Sequence, residues 1–143
     1  NSAGSLVGGL VVIDNSALVT RRPRVAGVAA NGRWLVVWQS ASSIFGPYDT
    51  FPAGEYVVRF DLELTKPATG KVATLDMIGG LGSSTYGSHE ARAEQLAGGR
   101  TAIEFPARLP QKSARIEVRL HSHGAGLLVH GVTVRRVGPP QNP

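Results

Sequence analysis

The chain has 143 residues, of which 42% are apolar and 17% charged, and a formal net charge of +5, a composition that fits one folded domain and excludes a disordered tail. Its longest apolar run near the start, 6–13, is far short of the roughly 20 residues a membrane-spanning helix needs. Cysteine is absent, which excludes disulfides, thiolate metal sites and cysteine nucleophiles.

Apolar residues recur along the chain with a period of two, the signature of half-buried β-strands. Residues 1–9 read as a loose N-terminal segment, and Gly32-Arg33 then leads into the run 34–38, whose β-branched and aromatic content favours a strand buried on both sides. Turn signals follow at Gly46-Pro47 and Pro52-Ala53-Gly54. Over 55–64 the even positions Tyr56, Val58, Phe60, Leu62 and Leu64 are all apolar and the odd ones mostly charged, so one face enters a core and the other meets water. A turn at 67–70 precedes a strand over 71–78, and the glycines of 79–82 open an eleven-residue loop that runs to His89. The segment 89–96 reads as a further strand, as does 101–105 after Gly98-Gly99. Over 113–121, Ile116, Val118 and Leu120 point inward against Arg115, Glu117, Arg119 and His121. The last run, 127–137, changes parity, which a β-bulge at His130-Gly131 would absorb. Residues 138–143, with three prolines, read as a linker. Strands this short between turns this regular predict an all-β, antiparallel sandwich or barrel over 10–137.

Twelve of the fifteen cations are arginine, which raises the question of an anionic partner such as nucleic acid. Most are dispersed, and several alternate with acids, as in Arg59-Phe60-Asp61. Charges set out this way mark solvated strand faces, not a nucleic-acid footprint. The single methionine is Met77, and the chain accordingly reads as a piece of a larger protein.

Catalytic motifs fail one by one. His89-Glu90 lacks the second histidine of a zinc protease helix, since position 93 is Ala, and Gly80-Leu81-Gly82 has Thr85 where a dinucleotide fingerprint needs its third glycine. Gly70-Lys71 has no upstream phosphate loop, and no serine sits in a nucleophile elbow. The acids Asp61, Glu63, Asp76, Glu90 and Glu94 could pair for glycoside hydrolysis, but most alternate with arginine as surface charges do. His121 and His123 share a strand face and, with His130, could meet a metal; strand-end histidines without a downstream carboxylate are the plainer reading. The expectation is therefore no enzyme, no metal and no cofactor.

The nine aromatic residues carry the next step. Tyr56, Phe60 and Phe105 fall on core parity. Trp34 and Trp38 share one strand face about 13 Å apart, and Trp38, at the strand end beside Gln39 and Ser40, is the better placed to stack on a sugar ring. Phe45, Tyr48 and Tyr86 fall outside the predicted strands, Tyr86 among the hydroxyls and imidazole of the loop 79–89, a mixture of donors and acceptors suited to a neutral polyol.

The stretch Phe45-Gly-Pro-Tyr48, then Phe51-Pro-Ala-Gly54-Glu-Tyr56-Val-Val-Arg-Phe60, and the closing Leu127-Leu-Val-His-Gly-Val-Thr-Val134 resemble the jelly-roll, galactose-binding-like carbohydrate-binding modules attached to bacterial glycosyltransferases and glycoside-active enzymes. The resemblance spans roughly 32–137 and implies a noncatalytic sandwich that presents ligand residues on a concave face or its loops. Gly54 would permit a tight turn and Tyr56 would begin the core stripe. Related modules place an aspartate in the closing strand, some for calcium, where this chain has His130.

These readings converge on a carbohydrate-binding domain of a larger, extracytoplasmic glycan-processing protein, with that protein's catalytic domain as its neighbour. Stacking would come from Trp38, Tyr48 or Tyr86 and hydrogen bonds from Asp76, Ser84, His89, Glu90 or Arg92. The alternative is a structural sandwich that uses the same rings to contact another domain or subunit.

Overall fold

A computed structural model describes residues 50–140 throughout, together with the strand backbone at 11–13, 22–28, 34–40, 43–45 and 47–49. The described residues hold strands β1 (Val11–Ile13), β2 (Arg22–Val28), β3 (Trp34–Ser40), β4 (Ser43–Phe45), β5 (Pro47–Phe51), β6 (Gly54–Leu64), β7 (Lys71–Gly79), β8 (Ser84–Arg92), β9 (Thr101–Leu109), β10 (Ser113–Ser122) and β11 (Leu127–Gly138). Their only helical pieces are short 3-10 turns at Gly80–Gly82 and Ala93–Leu96. The strands form two antiparallel sheets, one ordered β1-β11-β6-β9 and a seven-stranded one ordered β2-β3-β4-β10-β7-β8, with β5 also on β10. The architecture is an all-β, antiparallel sandwich of jelly-roll type.

The alternation of β6 is the reason for the core. Tyr56, Val58, Phe60 and Leu62 are each at most 1% exposed, and they meet Leu75 and Met77 of β7 and Ile116, Val118 and Leu120 of β10 in one apolar cluster. Phe60 lies nearly parallel to Phe105 of β9, with ring centroids 6.5 Å apart. Tyr56 keeps its ring in this layer because its hydroxyl donates to the Pro52 carbonyl at 2.6 Å, so a buried phenol is satisfied. Burial pushes that phenol above its ordinary 10.0, against the lowering influence of the nearby Arg136 guanidinium.

The bulge expected in the last strand is present: the β6–β11 register slips between Val129 and Gly131, and Val132 and Val134 then return to the core. Gly54 has a different role from the expected turn. A side chain there would meet Gly138 O at 2.8 Å and the Arg136 side chain, so glycine admits the Arg136 guanidinium, which donates to the Ala53 carbonyl. Gly87 is likewise a point of close approach: a Cβ would strike the Pro106 carbonyl and Ala107, where edge strands β8 and β9 come together and close one side of the sandwich.

Several expectations change. The loop predicted over 79–89 is a tight turn followed by β8, which begins at Ser84. Leu81 sits in the turn at φ 59, and ladder bonds to β7 organise the hydroxyl-rich residues that look like loop in sequence. The strand predicted over 89–96 stops at Arg92 and becomes a 3-10 turn, whose Gln95 side chain accepts from the Arg92 backbone N–H. β9 runs past Pro106 to Leu109, because an edge strand tolerates a residue without an N–H. In place of the turn expected at Gly46-Pro47, β4 and β5 both lie antiparallel to β10 and so run in the same direction. Phe45, Tyr48 and Tyr86 are consequently strand residues. β11 ends at Gly138, paired with Glu55. Residues 1–9, and the side chains of 34–38, lie outside the described residues.

Candidate functional site

The outer face of the seven-stranded sheet is built by the same alternation that builds the core. With Ala73, Leu75 and Met77 of β7 facing in, Thr74, Asp76 and Ile78 face out, and with Ile116, Val118 and Leu120 of β10 facing in, Glu117, Arg119 and His121 face out. Ladder register aligns these with β8 in three rows across β10, β7 and β8: Glu117-Ile78-Thr85, Arg119-Asp76-Ser88 and His121-Thr74-Glu90.

The middle row holds a two-point ion pair. Arg119 Nε donates to Asp76 Oδ1 at 2.8 Å and its second nitrogen to Oδ2 at 2.6 Å, a fork that fixes both side chains. Asp76 is nearly covered while Arg119 is 42% exposed, so the guanidinium presents a flat cationic surface held in place from below. One row away, Ile78 and Glu117 are buried although they face away from the core. That end of the face is covered over β7 and β10, although Thr85 of β8 is exposed, and the opposite end, with Ser88, Glu90 and His121, is open.

At the open end Lys71 Nζ lies 2.7 Å from Glu90 Oε1. The hydrogen bond from Lys71, then its charge and those of Arg92 and His123, hold the Glu90 carboxyl below the ordinary glutamate range. Thr74 Oγ1 and His123 Nε2 share a hydrogen bond of 2.7 Å. Beyond β7 and β10, the loops 65–70 and 123–126 flank a cleft of about 220 Å³ that includes Lys66, Lys71 and His123.

The structure divides the residues singled out from sequence. Asp76, Glu90 and Arg92 stand on the outer face, Arg92 with its Nε 3.5 Å from Glu94. Ser84 opens β8 opposite Gly79, beside the turn. His89 is paired in register with inward-facing Leu75, and its ring accepts from the Gln95 amide at 3.3 Å. Tyr86 is packed against the core, with its ring over Gly79 and its hydroxyl 3.0 Å from Ser113 Oγ. Trp38 and Tyr48 fall on β3 and β5 of the same sheet, and their side chains lie outside the described residues. Arg119, Thr74 and Ser88 were not singled out as ligand residues. Strand parity already turns Arg119 outward, but its partner lies 43 residues away, and only sheet register joins them.

The three histidines do not converge. His121 and His123 touch edge to face, with ring centroids 5.3 Å apart, whereas His130 is on β11 of the other sheet, with its Nε2 2.8 Å from Glu63 Oε1. Among the described residues no group of three metal-ligating side chains occurs. The acids weighed for glycoside hydrolysis are dispersed as well: Asp61 and Glu63 lie on the four-stranded sheet, Asp76 and Glu90 on the seven-stranded one.

No known family profile matches the chain, and no curated protein does. Solved structures do. The CBM22-1–GH10 modules of Clostridium thermocellum endo-1,4-β-D-xylanase 10B, complexed with xylohexaose, superpose with a TM-score of 0.50 at 12% identity, over 95% of this chain and 26% of that one. The arabinose-bound α-L-arabinofuranosidase MgGH51 superposes with a TM-score of 0.51 at 8% identity, over 89% and 23% of the two chains. A carbohydrate-binding module of Cellvibrio mixtus lichenase 5A, with cellotriose, gives 0.49 at 11% identity, over 89% and 97%. This chain thus spans about a quarter of each of the two enzyme chains. At such identities the likeness is one of fold, an all-β sandwich.

Proposed function

We propose that this domain is a noncatalytic carbohydrate-binding module of a larger, extracytoplasmic glycan-processing protein, and that it holds glycan on the outer face of the seven-stranded sheet. The observation that carries the reading is the Arg119–Asp76 fork, fixed at 2.6 and 2.8 Å and bordered by Thr74, Ser88 and Glu90 in aligned rows. Sugar hydroxyls need donors and acceptors held at fixed spacing, and a strand ladder supplies them without further ordering. The bound xylohexaose and arabinose of the two superposed enzymes support the choice of ligand class. No described helix is long and apolar enough to cross a membrane.

In this reading Asp76, Glu90 and Arg92 meet the ligand together with Arg119, and Trp38 and Tyr48 supply ring stacking from β3 and β5 of the same sheet. Tyr86 and His89, tied to Ser113 and Gln95, brace β8 from its other side. A shallow face orders few ligand groups, so affinity is weak unless several subsites act together. The catalytic domain of the same protein is the natural partner: the module keeps substrate near it.

The test is a glycan array that includes xylo- and arabino-oligosaccharides, followed by calorimetric titration of the best hit against Arg119→Ala and Trp38→Ala, with folding checked by circular dichroism. Roughly tenfold or greater weakening in Arg119→Ala is expected, equivalent to one charge-assisted contact. A hit retained at full affinity in both variants removes this face as the site. A negative array turns the face into a docking surface for a neighbouring domain.

A further inference from the structure

The cleft beyond the open end of this face has its own chemistry. Its walls are the loop 65–70 between β6 and β7 and the loop 123–126 between β10 and β11. Three hydrogen bonds fasten these loops at their base: Thr65 N–H to the Gly126 carbonyl at 3.1 Å and His123 N–H to the Val72 carbonyl at 2.9 Å, and Ser122 O–H to the Ala125 carbonyl at 2.7 Å. The cleft is therefore preorganised, although it lies between loops.

Its polar lining is one-sided in charge. Lys66, Lys71 and His123 line it with Thr69, and among the described residues no carboxylate does. Glu90 is paired with Lys71 at 2.7 Å on the sheet face. Lys66 makes no ion pair among the described residues. At about 220 Å³ the space is below the ~300–1,000 Å³ of drug-sized pockets, and it suits one ring or one substituent, not a chain. Lys71 and His123 also stand at the end of the His121-Thr74-Glu90 row, through the Lys71–Glu90 and His123–Thr74 contacts. A glycan lying along the face would place its next residue at the cleft.

From this geometry we infer that the cleft is a subsite for an anionic substituent, a carboxylate or sulfate, on the saccharide held by the adjoining face; this rests on the sugar-binding reading above. Lys66, which has no ion-pair partner among the described residues, supplies the main charge, and Lys71 and His123 supply donors from the strand ends. The ligand class becomes an acidic glycan, such as one containing uronic acid.

The experiment titrates the full chain with tetragalacturonate, with its fully methyl-esterified form, with the best neutral glycan and with sodium sulfate alone, for wild type, Lys66→Ala and Lys66→Glu. Lys66 is exposed and outside the three rows, so both variants should fold. The expected result is tetragalacturonate binding roughly tenfold weaker in Lys66→Ala and weaker still in Lys66→Glu, with neutral-glycan binding unchanged and the ester bound no better than a neutral chain. Equal binding of acid and ester, or no effect of Lys66→Glu, overturns the subsite while leaving the sugar-binding face intact. Sulfate binding that depends on Lys66 without any saccharide binding shows a free-anion site and overturns the acidic-glycan assignment. Absence of all binding removes both readings.

Discussion

The two outer faces of this sandwich come from the same alternating sequence pattern and are finished differently. On the four-stranded sheet the acids of β6 are settled among neighbours: Asp61 between Arg59 and Arg100 at 3.2 and 3.7 Å, Glu63 with His130 and Glu55 with Arg108. Asp61 retains only 6% side-chain exposure beneath two arginines that are themselves about half exposed, so its carboxylate is covered. On the seven-stranded sheet Asp76 is held at two points by one guanidinium, that of Arg119, and Ser88 beside it and Glu90 of the adjoining row are exposed. Arg59 and Asp61 are two residues apart on one strand; Arg119 and Asp76 are 43 apart on neighbouring strands. The pairs of the four-stranded sheet are single contacts, whereas the two-point Arg119–Asp76 fork fixes a charge pattern over two strands. The second arrangement is the one a ligand can use.

Substitutions can break this comparison. The largest effect lies beneath both faces: Phe60→Ala, at 0% exposure and stacked on Phe105, should cost about 3–5 kcal/mol of stability in urea unfolding, and it sets the scale for a change that acts through folding alone. Asp61→Ala comes next, with an expected loss of about 1–3 kcal/mol from removing a buried hydrogen-bonded carboxylate; glycan affinity of the folded protein should not move. Asp76→Ala reverses the pattern, with about 1 kcal/mol lost from a partly exposed pair but glycan binding weakened roughly tenfold, as in Arg119→Ala, since Arg119 loses its anchor. Should Asp61→Ala weaken binding as much as Asp76→Ala, the distinction between the two faces fails.

The sequence makes the faces legible but not their finish. The period-two stripe of 55–64 identifies the buried side of β6, and the parity change near His130 places the bulge, because both signals are local. The polar run 79–89 hides β8: Ser, Thr and Gly there satisfy turn composition, and only pairing with β7 makes them strand. That error carries Tyr86 from core edge to exposed loop. Burial of Asp61 and Glu117 also runs against odd-position exposure, since it depends on which arginine or strand lies across from them. The candidate site suffered most, because Arg119, Asp76 and Ser88 become a row only through two registers. The cleft is invisible in sequence for a related reason: Lys66, Lys71 and His123 carry no spacing that says two loops will meet.

The smallest expected effect tests whether the open face is held together electrostatically at its edge. Glu90 is exposed, and its carboxyl is held below the ordinary 4.5 first by the hydrogen bond from Lys71 and then by the surrounding positive charge. A lowered folded-state pKa means that the Lys71–Glu90 contact supports the fold above the unfolded value, and that this support is lost as pH falls through the lower folded value. An NMR titration of the Glu90 side chain should therefore give a midpoint below 4.5, and Lys71→Met should move it upward, with thermal stability at neutral pH hardly changed because the pair is solvent-screened. A midpoint indifferent to Lys71→Met would mean that Lys71 does not hold Glu90 in solution. The ordered edge between sheet face and cleft would then be lost, and the two would have to be treated as separate surfaces.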